Sequence, residues 1–149
     1  MPWTIHPVSR FAEMANQWDT LVCAQPGTPF LESAFMLPAL KVFGTGDELL
    51  CMLQENGQAH CAAIVQKSRA GMWETFQPSQ LPLGAWVSRA GSNLEQDMAA
   101  LVRHLPGLSL GLGATQLDSR KQPRPEDGAT VRTQDYIQTA WVDIDADFD

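Results

Sequence analysis

The chain has 149 residues, of which 44% are hydrophobic and 18% are charged, and this balance predicts one globular domain over residues 1–149. Its formal net charge of −7 gives an averaged field that repels phosphate backbones, which argues against a nucleic-acid partner. No apolar run reaches the roughly 18 residues of a membrane helix and the N-terminus lacks a secretory pattern, so we expect a cytoplasmic protein without a membrane span.

The first predicted elements are a short strand and an amphipathic helix. Residues 3–8 alternate in the manner of a strand, with Pro7 at its end or on an edge. Ser9 is a suitable N-cap for the helix, and Pro26-Gly27 ends it. The apolar residues of this helix recur at intervals of three and four and therefore share one face: Phe11, Met14, Ala15, Trp18, Leu21 and Val22.

The second predicted helix, residues 33–43, is apolar nearly all round. A helix of this kind is normally buried, so we expect other parts of the protein to cover it extensively. Pro38 lies inside this segment and must either sit in the first turn or kink the helix.

Residues 48–54 and 58–66 predict a β-hairpin, because Asn56-Gly57 between them suits a type I′ turn. With that turn, residue 53 pairs with 60 and residue 52 with 61. Cys51 and Cys61 then point to opposite faces and cannot form a disulfide, and with Cys23 they are expected to be free thiols. Both faces of the hairpin are apolar, which predicts a sheet covered on both sides by helices.

The rest of the chain adds strands and one more helix. Ser92 and Glu95 form a capping box before that helix, which Pro106-Gly107 ends. The other predictions, in chain order, are a strand at 71–76, a Pro-rich loop at 77–84, a buried strand at 108–112, a loop at 118–130 and a last strand at 134–144. The fold class expected is α/β (α+β), with a mixed, largely antiparallel sheet.

No complete catalytic or metal-binding motif is found in the sequence. A G-x-S-x-G elbow is absent, and the three histidines, His6, His60 and His104, have no paired nucleophile nearby in sequence. The acidic group formed by Asp143, Asp145, Asp147 and Asp149 lacks the glycine and glutamate of a calcium loop, so we expect no metal site. It is better explained as a strand end and the start of a helix, which suggests that the natural chain continues past Asp149.

The substrate-binding candidates lie in and beside the Pro-rich loop. Trp73 and Trp86 flank the loop, and Gln77 and Gln80 supply amides within it. Indole rings can stack on sugar rings, and loops of this kind often carry function. We therefore predict that these four residues are the ones to contact a ligand, if the indoles are exposed around a polar groove.

Four segments resemble the N-terminal half of the acetyltransferases linked to cellulose and exopolysaccharide biosynthesis. They are Trp18-Asp19-Thr20-Leu21, the run from Pro29 to Ser33, Ala62-Ala63-Ile64-Val65, and the run from Ala140 to Ile144. This CelD/BcsL-like group is related to the FemAB-type aminoacyl transferases. The predicted order of elements also resembles a half of the GNAT type.

The resemblance implies a two-domain acyltransferase in which this chain is the half that is not catalytic by itself. Its partner would be a C-terminal GNAT half that binds acetyl-CoA or another acyl-CoA, and its acceptor a sugar or an amine. No cofactor is expected in this half, because Leu108 stands where the acetyl-CoA loop has Gln or Arg. Two alternatives remain open: a stand-alone ligand- or protein-binding module, and an autonomous acyltransferase that uses Gly111 and Gly113.

Overall fold

The computed structural model of the protein describes residues 2–24, 28–79, 81–118 and 123–135. Within these ranges the chain forms three helices and six strands, with short 3₁₀ turns at Val8–Arg10 and Pro29–Leu31. The elements, in chain order, are β1 (Trp3–Pro7), α1 (Phe11–Cys23), α2 (Ser33–Phe43), β2 (Leu49–Glu55), β3 (Gln58–Arg69), β4 (Met72–Thr75), β5 (Trp86–Ser88), α3 (Leu94–Val102) and β6 (Gly111–Gly113).

The six strands form one sheet in the order β1-β2-β3-β4-β6, with β5 also paired to β3. Strands β1 to β5 pair antiparallel, and β6 lies parallel to β4. The long strand β3 makes this possible, because its first part pairs with β5 and its second part with β4. The predicted mixed, largely antiparallel sheet is therefore confirmed. The predicted last strand lies mostly outside the described residues.

One face of the sheet is covered by α1 and α2. The apolar stripe of α1 that the spacing predicts is buried there, apart from the half-buried Ala15. Phe11 and Trp18 meet edge to face with ring centroids 5.3 Å apart. The Trp18 Nε1–H donates to the carbonyl of Leu31 over 2.5 Å, so the buried indole has its polar partner.

The opposite face is covered by α3. Leu94, Leu101 and Leu105 bury their side chains against the sheet, beside both Cys51 and Cys61. The two clusters of buried side chains correspond to the two faces, which confirms that the hairpin is covered on both sides.

The register of the hairpin corrects the predicted placement of the two cysteines. Asn56 and Gly57 both have positive φ, as a type I′ turn requires. A β-bulge between Leu53 and Gln54 then moves the partner of Leu53 from residue 60 to Cys61. Because a one-residue shift turns every following side chain to the other face, Cys51 and Cys61 share the α3 face. Both are free thiols, as is Cys23.

Both predicted helix starts are displaced by a residue or two. Ser9 lies in the 3₁₀ turn that leads directly from β1 into α1, and α1 has no side-chain cap. At α3 the N-cap is Asn93, whose side chain accepts the N–H of Gln96 over 3.0 Å, and Ser92 lies outside the helix. The side-chain oxygen Oδ1 of Asn93 takes the capping role that the sequence assigns to the Ser92 hydroxyl.

Two stretches of apolar residues remain exposed, contrary to expectation. Helix α2 runs through Pro38 over the predicted range, but much of its apolar surface is not covered by any described residue. The predicted buried strand at 108–112 begins only at Gly111, and Leu108 and Leu110 before it are exposed.

Candidate functional site

A small cleft, partly open to solvent, lies alongside β5, with about 30 Å³ of room for water-sized groups. Its walls come from the end of α1, the 3₁₀ turn before α2, the Pro-rich loop, β5 and the segment that follows β6. The residues that line it are Leu21, Val22, Thr28, Leu31, Leu83, Gly84, Trp86, Val87, Ser88, Leu117 and Asp118. The walls are mostly aliphatic, and three polar residues interrupt them. Room of this size holds one or two water molecules, so the cleft can take a small group at the edge of a larger ligand.

The Pro-rich loop leaves the sheet after β4 and returns at β5 through backbone hydrogen bonds. The N–H of Phe76 donates to Ile64, and the N–H of Ala85 donates to Phe76. Between these bonds the loop folds onto the segment after β6, where the Gly84 N–H donates to the Thr115 carbonyl over 3.1 Å. The loop is therefore a fixed wall of the cleft.

Gly84 is required at this contact because the backbone of Thr115 and the side chain of Thr75 lie so close to it. A Cβ at this position would lie 2.3 Å from the Thr115 carbonyl oxygen and 2.5 Å from the Thr75 Oγ1. Atoms do not approach so closely without bonding, so a larger residue would push the loop away from the segment after β6. The glycine thus fixes the shape of the cleft.

The structure places the two predicted tryptophans in the core. Trp73 is 3% exposed and its Nε1–H donates to the Ser109 Oγ over 3.0 Å. Trp86 is 4% exposed, and its ring packs against that of Trp3 with centroids 5.9 Å apart. Neither indole has an open face for stacking on a sugar. Trp86 borders the cleft from β5 while its ring packs on the α3 face, and ligand contact through these residues stays a prediction.

Of the two glutamines predicted to contact a ligand, Gln77 makes hydrogen bonds within the fold. The Gln77 Nε2–H donates to the Leu81 carbonyl over 3.1 Å and also to Gln116. The amide of Gln77 is thus engaged in holding the loop in place. Gln80 lies outside the described residues.

Sequence reasoning missed most of the cleft. Thr28, Ser88 and Asp118 supply its polar lining, and each already makes interactions of its own in the fold. They are separated by 60 and 30 positions in sequence and belong to no motif. Only the return of the loop to β5 brings them together, so no sequence signal could have identified them.

Besides the exposed Asp127, whose pKa is lowered by hydrogen bonds from the N–H and the hydroxyl of Thr133, two carboxyl groups of the described residues have shifted pKa values, in opposite directions. Burial raises the pKa of Glu48, but hydrogen bonds from the backbone of Thr45, Glu48 and Gly46 and from the Thr45 hydroxyl outweigh it, and the net pKa is lowered. Burial raises the pKa of Asp97, and the charge of His60 only partly opposes it. Neither group borders the cleft.

Neither buried cysteine is an activated nucleophile. Burial raises the pKa of Cys51 to about 12, and burial together with the charge of Asp97 raises that of Cys61 well above its usual value, so both thiols stay protonated and unreactive. His104 bonds the Ala100 carbonyl through Nδ1, 2.9 Å away, at the end of α3.

The two glycines on which the autonomous-acyltransferase alternative depends do not begin a helix. Gly111 and Gly113 lie in β6 and pair with β4. An anion site would need their N–H groups at a helix N-terminus, and no described helix follows them.

Neither a metal site nor a membrane-spanning helix is found among the described residues. The described residues hold no group of three or more His, Cys, Asp or Glu side chains that could bind a metal, and the acidic group at 143–149 lies outside them. None of the described helices is long and apolar enough to cross a membrane. Comparison with family models, with curated proteins and with solved structures finds no match.

Proposed function

We propose that this chain is a GNAT-like domain that forms the non-catalytic half of an acyl-CoA-dependent N-acyltransferase in polysaccharide or cell-surface biosynthesis. The order of elements carries this proposal. Up to residue 113 the chain has a strand, two helices, three antiparallel strands, a helix and a strand in the order on which the resemblance rests, with the short β5 as an additional antiparallel strand before α3. The parallel placement of β6 beside β4, after α3, makes the sheet mixed, as the proposal requires.

The chemistry of the described residues supports the non-catalytic role. The buried thiols are protonated, and the glycines at 111 and 113 are strand residues rather than a cradle for a pyrophosphate. In this proposal the second half binds the acyl-CoA. The cleft beside β5 contributes to the groove for the acceptor, a sugar or an amine.

Two measurements test the proposal that the second half, and not this chain, binds the acyl-CoA. Acetyl-CoA titrated calorimetrically into this chain is expected to give no binding heat, whereas the full product of the gene is expected to bind it and to release CoA with glucosamine as the acceptor probe. The coding sequence after Asp149 is expected to encode the second half. Tight acetyl-CoA binding by this chain alone, or a stop codon directly after Asp149, would overturn the proposal.

The role of the cleft is tested by filling it. Leu83→Trp places a larger side chain in the wall of the cleft and is expected to raise the KM for the acceptor about tenfold, the loss of about 1.4 kcal/mol of binding. The KM for acetyl-CoA should not change. Leu108→Trp, at an exposed position outside the cleft, is the matched control. An unchanged acceptor KM in the Leu83 variant would remove the cleft from the acceptor groove.

The second candidate, a stand-alone binding module, is favoured by the cleft itself, because an aliphatic groove with few polar groups binds ligands without any catalyst. A fragment screen by NMR separates the two candidates. Ligands that shift the backbone signals of Val87 and Leu117 in a chain whose gene ends at Asp149 would favour the module.

A further inference from the structure

Helix α2 presents an unusually apolar surface to solvent. Lys41 is its only charged residue, and Ser33, its other polar residue, is buried. The exposed large apolar residues of α2 and of the 3₁₀ turn before it form what we term the α2 surface: Phe30, Phe35, Leu37, Val42 and Phe43. A helix that is apolar all round is normally covered on every side, so this surface lacks a partner among the described residues.

The α2 surface is ordered by its own contacts. Phe30 and Phe35 meet edge to face with ring centroids 5.6 Å apart, which joins the 3₁₀ turn to the helix. Phe35, Pro38 and Val42 follow at intervals of three and four and form a stripe along the outer side of α2. The helix start is held by Asp19, which accepts the N–H of Ser33 over 2.7 Å and its hydroxyl over 2.5 Å. The stripe is therefore presented on a fixed helix.

We propose that the α2 surface is the interface of a symmetric homodimer, in which the α2 helices of two copies pack antiparallel about a two-fold axis. The size of the surface fits this assignment. At about 200 Å² for a large side chain, its exposed fractions of 37% to 69% leave about 450 Å² of apolar surface in water. One side of a standard interface buries about 800 Å², of which about 65% is apolar in homodimers.

Charge complementarity favours a second copy as the partner. Glu32 precedes α2 and Lys41 lies in its last turn; both are exposed, and neither makes an ion pair with a described residue. In an antiparallel pair centred on Pro38, Glu32 of each copy comes within about 5 Å, along the helix axis, of Lys41 of the other. Long side chains can span this distance. The surface carries one acid and one base, so the net charge of −7 lies elsewhere and does not oppose the contact.

This inference goes beyond the proposed function and does not depend on acyl transfer. Sedimentation velocity of the chain at high micromolar concentration is expected to show a dimer that dissociates on dilution. Val42→Asp places two charges in the interface and is expected to give a monomer throughout. Leu110→Asp is the matched control, because Leu110 and Val42 are both 69% exposed and Leu110 lies outside the α2 surface. A wild-type chain that is monomeric at every concentration would overturn the proposal.

A charge exchange tests the antiparallel arrangement without relying on one apolar variant. Glu32→Lys and Lys41→Glu should each weaken self-association at least tenfold, because each puts two like-charged pairs into the interface. Mixing the two variants should restore a dimer, since each copy then meets the opposite charge. Circular dichroism confirms that the variants are folded. A mixture that stays monomeric, or a dimer that Leu110→Asp abolishes and Val42→Asp does not, would contradict this interface.

Discussion

The two faces of the sheet are built with the same kinds of side chains but differ in how their polar atoms are satisfied. On the α1 and α2 face, the Trp18 indole N–H has the Leu31 carbonyl as its partner. On the α3 face, the Trp73 indole N–H donates to Ser109, but those of Trp3 and Trp86 are buried without a hydrogen-bond partner among the described residues. A buried polar group without a partner costs about 1–3 kcal/mol. We infer that the α3 face is the less stable one and opens first.

The carboxyl groups near the two faces show the same contrast. Glu48 lies between α2 and β2 and is 1% exposed. It accepts hydrogen bonds from the Thr45 N–H over 2.6 Å and from the Gly46 N–H over 2.9 Å. Asp97 on α3 has one carboxyl oxygen buried without a partner among the described residues. The fold therefore stabilises the ionised form of Glu48 through hydrogen bonds and destabilises that of Asp97 through burial.

The largest effect is expected from the same substitution at two tryptophans. Trp18→Phe removes the bond to Leu31 and leaves a smaller ring in a fully buried site, so we expect a loss of about 2–4 kcal/mol in the free energy of unfolding. Trp86→Phe removes a donor that has no partner and should cost less than half as much. Urea unfolding followed by far-ultraviolet circular dichroism measures both. Equal losses would remove the contrast between the faces.

Glu48→Gln tests the satisfied carboxylate. Hydrogen bonds to a charged group contribute about 1.5–3 kcal/mol, and we expect a loss of this size at neutral pH. Because folding lowers the pKa of Glu48, its contribution is fully present above the ordinary value of 4.5 and is lost as the pH falls through the folded-state pKa. The gap between wild type and variant should therefore be constant from pH 5 to 8 and close below pH 4.5. A gap that widens in acid would contradict this assignment.

Local patterns in the sequence were sufficient for most of the fold. The apolar stripe of α1 and the Asn56-Gly57 turn were identified because each depends on neighbouring residues alone. The bulge between Leu53 and Gln54 was not, since it depends on how β3 pairs with β2 on one side and with β5 on the other. Because the prediction lacked this one-residue bulge, it placed Cys61 on the opposite face of the sheet from Cys51.

The candidate site was far less predictable than the fold. Trp73 and Trp86 were chosen for their chemistry and their place beside a loop, but an indole can equally fill a core, and both do. The cleft depends instead on Gly84, whose importance comes from a contact with Thr115 that lies 31 positions away. Contacts of that kind have no signature in a single sequence.

An effect of intermediate size on the free energy of unfolding is expected at the starts of α3 and α2, which can be compared directly. Asn93→Ala removes the cap of α3 and should cost about 1 kcal/mol. Asp19→Ala removes the bonds that hold the start of α2 and should cost a similar amount. In a Cys23→Ser background, reaction of Cys51 and Cys61 with a thiol reagent reports opening of the α3 face, where both are buried. Only Asn93→Ala should speed this reaction, by about fivefold. Equal acceleration by both variants would mean that the faces open together.

The smallest effect, and the only stabilising one, is expected at Asp97. Its pKa is raised in the fold, chiefly by burial, so the ionised carboxylate lowers the stability of the protein at pH values above that raised pKa. Asp97→Asn removes the charge with little change of shape and should raise the free energy of unfolding by up to about 1 kcal/mol at pH 7. The advantage should shrink as the pH falls and vanish below the ordinary value of 3.8, where wild-type Asp97 is protonated in both states.

The neighbours of Asp97 determine how this experiment is controlled. The charge of His60 favours the ionised Asp97, and the charge of Asp97 raises the pKa of Cys61. His60 and Cys61 must therefore each keep one protonation state while Asp97 titrates. His60→Gln, compared with and without Asp97→Asn, removes the first coupling, and the Cys61 thiol stays protonated throughout the range. If Asp97→Asn destabilises the protein at pH 7 in both backgrounds, the carboxylate has a partner in solution and the α3 face is as well satisfied as the other.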